Sequence, residues 1–190
     1  MSPRSQPEDS ALVAAAIAGD ERAFAGLMQR HKDRLYRFIR RYTGEGDEAY
    51  DLLQESFASA WGALRRYDPA RPFDTWLRSI ALNKCRDWSR RRMVRRWLTH
   101  SDSIESATGA ALATSDPSAE TQLADRQRLT QLDAAIARLP ASLKEPLLLT
   151  VFDELSHEEA GKLLGLSAKA IEVRIYRARR ALAEALGGDH

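Results

Sequence analysis

"LSHEEAGKLLGLSAKAIEVRIYRARRAL", residues 155–182, contains two short amphipathic segments separated by Gly165, and the second carries a lysine and four arginines. Ser156 followed three residues later by Glu159 is the pattern of a capping box, which opens the first segment as a helix. Gly165 is placed to end that helix, and Ser167 to cap the next, with Leu166 and Ile171 positioned as a hydrophobic staple. Gly161 falls where two crossing helices must approach, so the spacing predicts a helix-turn-helix. Along the second helix Ile171, Ile175, Ala178, Leu182 and Leu186 form an apolar stripe. Lys169, Val173, Tyr176, Arg177 and Arg180 project from the opposite face, with Arg174 and Arg179 at its flanks. DNA reading is favoured here over a purely structural helical hairpin. The outward first turns of such a helix enter the major groove, and here they carry Lys169, Glu172, Val173 and Tyr176, while the later arginines suit phosphates.

Towards the N-terminus, Leu123, Leu129, Leu132, Ile136 and Leu139 predict a helix stopped before Pro140, and Ser142 with Glu145 predicts a capping box for "LKEPLLLTVF". A second module is therefore expected over residues 122–190. From Leu98 to Asp125 there is no Lys or Arg, whereas Asp102, Glu105, Asp116, Glu120 and Asp125 are acidic and small residues dominate. Residues 99–121 read as a flexible acidic linker, either a solvated spacer or a mimic of a nucleic-acid backbone.

Ahead of the linker the charge reverses. Residues 65–96 hold eleven basic residues against three acidic ones, a candidate anion surface whose plain alternative is a solvated helix face. Residues 20–98 read as a helical bundle. Asp20 can cap a helix in which Phe24, Leu27, His31, Leu35, Phe38 and Tyr42 recur, and "TGEG" stops it. His31 lies on the apolar stripe as a partly buried structural histidine. The next helix, from about Glu48 to Tyr67, buries Ala49, Leu53, Phe57, Ala60 and Leu64 and leaves Asp51, Glu55, Ala58 and Gly62 opposite, with Gln54 at the flank. Two prolines in "RYDPARPF" break the pattern before a third helix whose stripe is Phe73, Leu77, Ile80, Ala81 and Trp88. Trp61, Trp76 and Trp88 are read as core anchors rather than base-stacking platforms. Residues 1–19 form an N-terminal segment with a short helix. The expected fold is all-α: two small helical domains joined by the acidic linker, the C-terminal one containing the helix-turn-helix.

Composition narrows the function. The chain has 190 residues, a net charge of +2 and one cysteine, Cys85, which excludes an internal disulfide; its four histidines have no metal-ligand spacing. Neither a metal nor a cofactor is expected, and the absence of clustered ligands, a Gly-rich phosphate loop or a Ser/His/Asp arrangement argues against an enzyme. No charged-then-apolar leader opens the chain and no apolar run approaches a membrane span, so a cytoplasmic protein without membrane insertion is expected.

The order of these features resembles the extracytoplasmic-function sigma factors, small bacterial initiation factors with only the second and fourth sigma regions. "AYDLLQESFASAWGAL" is similar to the family's polymerase-binding helix, "PFDTWLRSIALNKCRDWSRR" to its minus-10 element and "LPASLKEPLLLTVFDELSHEEAGKLLGLSAKAIEVRIYRARRAL" to its fourth region. The resemblance implies RNA polymerase core as partner, through its clamp coiled coil and flap, together with promoter DNA and an anti-sigma factor. It implies that Asp51, Leu52, Gln54 and Glu55 contact polymerase, with Tyr50 standing where the family usually has an acidic residue. It implies that residues 67–74, which include Tyr67, Asp68, Arg71 and Phe73, capture a flipped base of the opened minus-10 strand, with Asn83 near that pocket and Arg78, Arg86 and Arg90 on the same helix. For minus-35 duplex it implies Ser167, Lys169, Glu172, Val173, Arg174, Tyr176, Arg177 and Arg180. Many members carry Lys or Arg followed by Ser where this chain has Glu172 and Val173, so its promoter preference is its own. A sigma-like decoy that sequesters an anti-sigma factor, or a helix-turn-helix regulator acting without core polymerase, is the alternative.

Overall fold

The structure, a computed structural model, describes residues 7–99 and 117–187, which are helical throughout apart from short turns. The helices are α1 (Pro7–Ile17), α2 (Glu21–Thr43), α3 (Gly46–Ala63), α4 (Phe73–Thr99), α5 (Pro117–Arg138), α6 (Ala141–Leu147), α7 (His157–Leu164) and α8 (Ala168–Ala185). A 3-10 turn, Leu64–Arg66, ends α3, and a π-helical turn, Leu148–Phe152, continues α6. Residues 100–116 of the expected linker lie outside the described residues. The helix that follows starts at Pro117, ahead of the boundary expected near Gln122; a proline is suited to a first helical position because that N–H has no partner anyway.

Local signals account for most of the ends. Asp20 accepts from the backbone N–H groups of Arg22 and Ala23 at 2.8 and 3.1 Å, and Gly44 closes α2 in the left-handed region at φ +80°. Ser156 and Glu159 form the reciprocal capping box, Gly165 ends α7 at φ +69°, and Ser167 accepts from Ala170 N at 3.1 Å. A Cβ on Gly161 would lie 2.5 Å from the carbonyl oxygen of Leu166, so the close approach there is to the backbone of the turn itself.

One local expectation fails. The Ser142–Glu145 capping box does not form; α6 starts after Pro140, whose carbonyl accepts from Leu143 N and Lys144 N at 2.9 Å each, and Glu145 turns inward. Its carboxylate is needed elsewhere.

The buried stripes of α2, α3 and α4 converge on Leu27, Phe38, Ile39, Phe57, Leu77 and Trp88, those of α5 to α8 on Ile136, Leu148, Leu149, Ile171 and Ala178, and the two sets run into one core. Gly44 marks the junction, since a Cβ there would sit 2.7 Å from that of Ala137. Several apolar expectations need correction: Leu129 of the α5 stripe is exposed, and Trp76 is only partly buried. Leu186 is exposed, so the stripe of α8 ends at Leu182; Trp61 is part-exposed with its ring 4.9 Å from Phe24; and Ile80 is only partly buried. His31 is a structural histidine, its Nε2 3.1 Å from Asp9 Oδ2 and its ring against Phe73.

Candidate nucleic-acid interface

On α3, Asp51, Gln54, Glu55, Ala58 and Gly62 are exposed along one face, and Glu55 lies 3.4 Å from Lys84 Nζ of α4. Leu52 does not share that face. It is 2% exposed and belongs to the core, because it is one turn ahead of buried Ser56 on the inner side of the helix. Beside the exposed face a cleft of about 530 Å³ opens between α2 and α3, with Met28, Tyr36, Tyr50 and Gln54 in its wall.

The loop between α3 and α4 is built on an aromatic cluster. Tyr67 stands edge-on to Phe73 at 5.8 Å and packs on Trp76 at 5.0 Å, and its hydroxyl donates to the carbonyl of Arg71. Burial, then the charges of Asp68 and Asp74, push the Tyr67 hydroxyl above its ordinary pKa. Asp68 accepts from Ala70 N at 3.0 Å and keeps the turn tight, while the Arg71 side chain is free in solvent apart from a 3.8 Å approach to Asp68. Phe73 is 2% exposed and packs beneath the loop, its ring against those of Tyr67 and Trp76.

The cations of α4 divide into two sets. Arg90 is exposed beside Asp87, and Asn83 is exposed one turn after Ser79. Arg78 and Arg86, expected at minus-10 DNA, point instead into the contact with the second half of the chain. Arg78 is 3% exposed, its Nε 2.7 Å from Asp153 Oδ2 as a close ion pair off the hydrogen-bond line, with Asp74 at 3.7 Å. Arg86 grips Glu145 with two hydrogen bonds of 2.9 and 2.5 Å. The reason is the inward turn of Glu145 and the position of Asp153 after the π-helical turn, which bring two buried carboxylates to these guanidinium groups.

More of α2 joins the same contact. Arg34 donates to the Asp153 carbonyl at 2.7 Å, and the hydroxyl of Tyr42 donates to Glu145 at 3.3 Å. Lys144 donates to the carbonyls of Tyr42 and Ala137 at 2.9 and 2.6 Å. Burial drives the ionisations: it raises the Asp153 carboxyl against the pull of Arg78 and Arg34, and lowers the Lys144 ammonium from 10.5 to about 8. The Glu145 hydrogen bond raises the Arg86 guanidinium further. Sequence reading missed this cluster; its one signal is "KEP" and "DE" set within an otherwise apolar run, since charges there require buried partners.

The helix-turn-helix is open by contrast. Lys169, Glu172, Val173, Tyr176, Arg177 and Arg180 are exposed on the outer face of α8 and Arg174 is half-buried beside them. Ser167 spends its hydroxyl on the cap. Lys169 bonds Glu172 at 2.8 Å and holds that carboxyl below its usual range, and Arg180 pairs with Glu184 at 2.9 Å. Arg177 faces solvent on the same side.

Comparison with known proteins gives two family matches: Sigma-70 region 2 over residues 27–96 and Sigma-70 region 4 over residues 129–182. The chain is 37% identical over 186 residues to the RNA polymerase sigma factor CnrH of Cupriavidus metallidurans, covering 96% of this chain and 97% of that protein. It is 38% identical over 174 residues to the RNA polymerase sigma factor NccH of Alcaligenes xylosoxydans xylosoxydans, with 92% of each covered. Among solved structures, CnrH in complex with the cytosolic domain of CnrY matches at a TM-score of 0.68 and 32% identity, over 96% of this chain and 99% of that one. The sigma factor RpoE of Bartonella quintana, solved with the anti-sigma factor NepR, matches in fold at a TM-score of 0.67 and 24% identity, over 88% of this chain and 98% of that one.

Proposed function

The chain belongs to the extracytoplasmic-function class of sigma-70 factors, and we propose that its two halves read a promoter by different physical means, supplying no covalent chemistry of their own. α8 enters the major groove of minus-35 duplex, with Glu172 and Val173 against base edges and Arg177 on phosphate. The 67–73 loop and the exposed side of α4, with Asn83 and Arg90, take the melted minus-10 strand. Asp51, Gln54 and Glu55 dock on a basic helical surface of core polymerase.

The observation that carries this reading is the unequal accessibility of the two DNA faces. α8 presents its outer face to solvent, whereas Arg78 and Arg86 are held by Asp153 and Glu145 of the second half. Both cannot serve a minus-10 strand until the halves separate, so docking on core polymerase has to open the chain. The structure of CnrH, 32% identical, was determined with the cytosolic domain of CnrY, and a comparable protein partner, an anti-sigma factor, fits a chain whose closed arrangement must be kept until needed. Among the described residues no helix is long and apolar enough to cross a membrane.

The test is reconstitution with core polymerase on promoter DNA. Initiation at a defined promoter is expected, and a folded Asp51→Lys/Glu55→Lys variant should lose core affinity by more than an exposed pair accounts for, because charges become repelled as well as unpaired. Promoter binding by the chain with no effect of core would instead favour a regulator acting alone.

A further inference from the structure

α1 lies outside both matched regions, yet it closes a cavity of about 150 Å³ against the loop assigned above to the melted strand. Asp9, Ser10 and Val13 of α1 face Tyr67, Arg71 and Phe73 across it. The cavity thus combines an aromatic ring, aliphatic surface, a hydroxyl and a carboxylate, with an arginine at its edge. Aromatic and apolar walls around a few polar groups are what a pocket for an extruded base needs. Asn83 does not line it.

The carboxylate is held in place from behind. Asp9 is 5% exposed; its Oδ1 accepts from Arg30 Nη1 at 2.7 Å and its Oδ2 lies 3.1 Å from His31 Nε2, both on α2. The His31 ring packs on Phe73 at 5.4 Å, so α1, α2 and the loop are tied through one set of contacts. A carboxylate offers about four acceptor sites, and these two bonds leave it able to accept again. It has nothing to donate. A base that presents an exocyclic amino group, such as cytosine N4 or adenine N6, is therefore matched to it, and thymine, which offers O4 there, is repelled.

We infer that α1 forms one wall of a base pocket with the 67–73 loop, and that Asp9 selects there for an extruded base bearing an exocyclic amino group. The inference rests on the minus-10 reading of the loop. It adds a specificity residue from a helix that the region 2 match does not include.

The experiment uses holoenzyme reconstituted from the full chain and core polymerase, selecting from fork-junction DNA randomised in the single-stranded minus-10 segment. The wild type should prefer amino-bearing bases over thymine at one position by about tenfold. Tyr67→Ala should abolish the preference; if the wild type has no preference anywhere, or Tyr67→Ala retains it, the minus-10 reading of the loop fails and the inference with it. Asp9→Asn, which can donate as well as accept, should admit thymine at that one position and leave the others unchanged. Ala14→Phe, which fills the cavity from an exposed position on α1, should erase the same preference. Ala11→Phe, which adds the same ring to α1 at an exposed position outside the cavity, should leave the preference in place. Unaltered selection by Asp9→Asn and Ala14→Phe alongside a loss in Tyr67→Ala would overturn the inference alone, as would an identical loss in Ala11→Phe and Ala14→Phe.

Discussion

Replacing Asp153 by Asn should open the chain. Asp153 and Arg78 have side chains 4% exposed each, 2.7 Å apart, and Arg34 adds a second guanidinium at 3.7 Å. Taking the charge from one member of a buried pair leaves the other desolvated and uncompensated, which costs about 3–5 kcal/mol. Asp74, 3.7 Å from Arg78, offsets part of that, so the lower end, about 3 kcal/mol, is expected here. The penalty falls on the closed arrangement alone, because separation returns Arg78 to water. At 1.4 kcal/mol per tenfold, the ratio of closed to open chains should drop by about a hundredfold. Energy transfer between dyes on Asp47→Cys and Ala185→Cys, both exposed positions on opposite halves, reads the separation. Cys85 will not compete for the label, being fully buried with its thiol pushed up by that burial. The same variant should bind single-stranded minus-10 DNA more tightly without core polymerase. Arg78→Met/Asp153→Leu, which replaces the pair by apolar groups, should restore closure, since such replacements are often neutral or stabilising. Unchanged energy transfer in Asp153→Asn, with circular dichroism intact, would refute the claim that this pair holds the halves together.

Closure should also respond to alkali. The ammonium of Lys144 is lowered from 10.5 to about 8 by burial in the closed chain, so the open or unfolded chain binds more protons between these values and stability rises with pH across that window. The gain from this group is up to about 3 kcal/mol; the buried Cys85 thiol, pushed up in the folded chain, works in the opposite direction at the alkaline end, so the Lys144 contribution is the rise in melting temperature from pH 7.5 to pH 9.5 that Lys144→Met removes in a Cys85→Ala background. Gly161→Ala should cripple the helix-turn-helix, because the added methyl meets the Leu166 carbonyl at 2.5 Å and backbone cannot yield as a side chain would; thermal melting and minus-35 duplex binding should both fall. Arg177→Ala should weaken minus-35 binding alike across sequences and reduce its salt slope by about one, whereas Val173→Ala should reorder sequence preference; a change of preference in Arg177→Ala would reverse these assignments.

Helix existence and most helix ends were legible in the order of residues alone, because each depends on neighbours within one turn. Asp20, Gly44, Ser156 with Glu159, Gly165 and Ser167 act where their types predict, and the stripes of α2 and α3, with that of α8 as far as Leu182, face the core as their spacing requires. The outer face of α8 was readable for the same reason: once its apolar side is known, Glu172, Val173, Tyr176 and Arg177 have nowhere else to point. Periodicity fails where a residue's partner lies a hundred positions away. Arg78 and Arg86 look like free cations of a basic helix, and only the packing of the second half reveals Asp153 and Glu145 against them. Glu145 itself had two competing uses, a local cap on α6 and an ion pair across the junction. The half-buried Arg86 guanidinium decides for the second, because a two-bond, charge-assisted pair to the buried Glu145 carboxylate outweighs a cap at a helix end that Pro140 already serves. Leu52 follows the same logic, drawn into the core although its family role reads as a contact residue, whereas the burial of Phe73 is what its place on the stripe of α4 requires. Short-range geometry is written along the chain; which distant charges neutralise one another depends on how the helices dock, and that is decided by the tertiary structure.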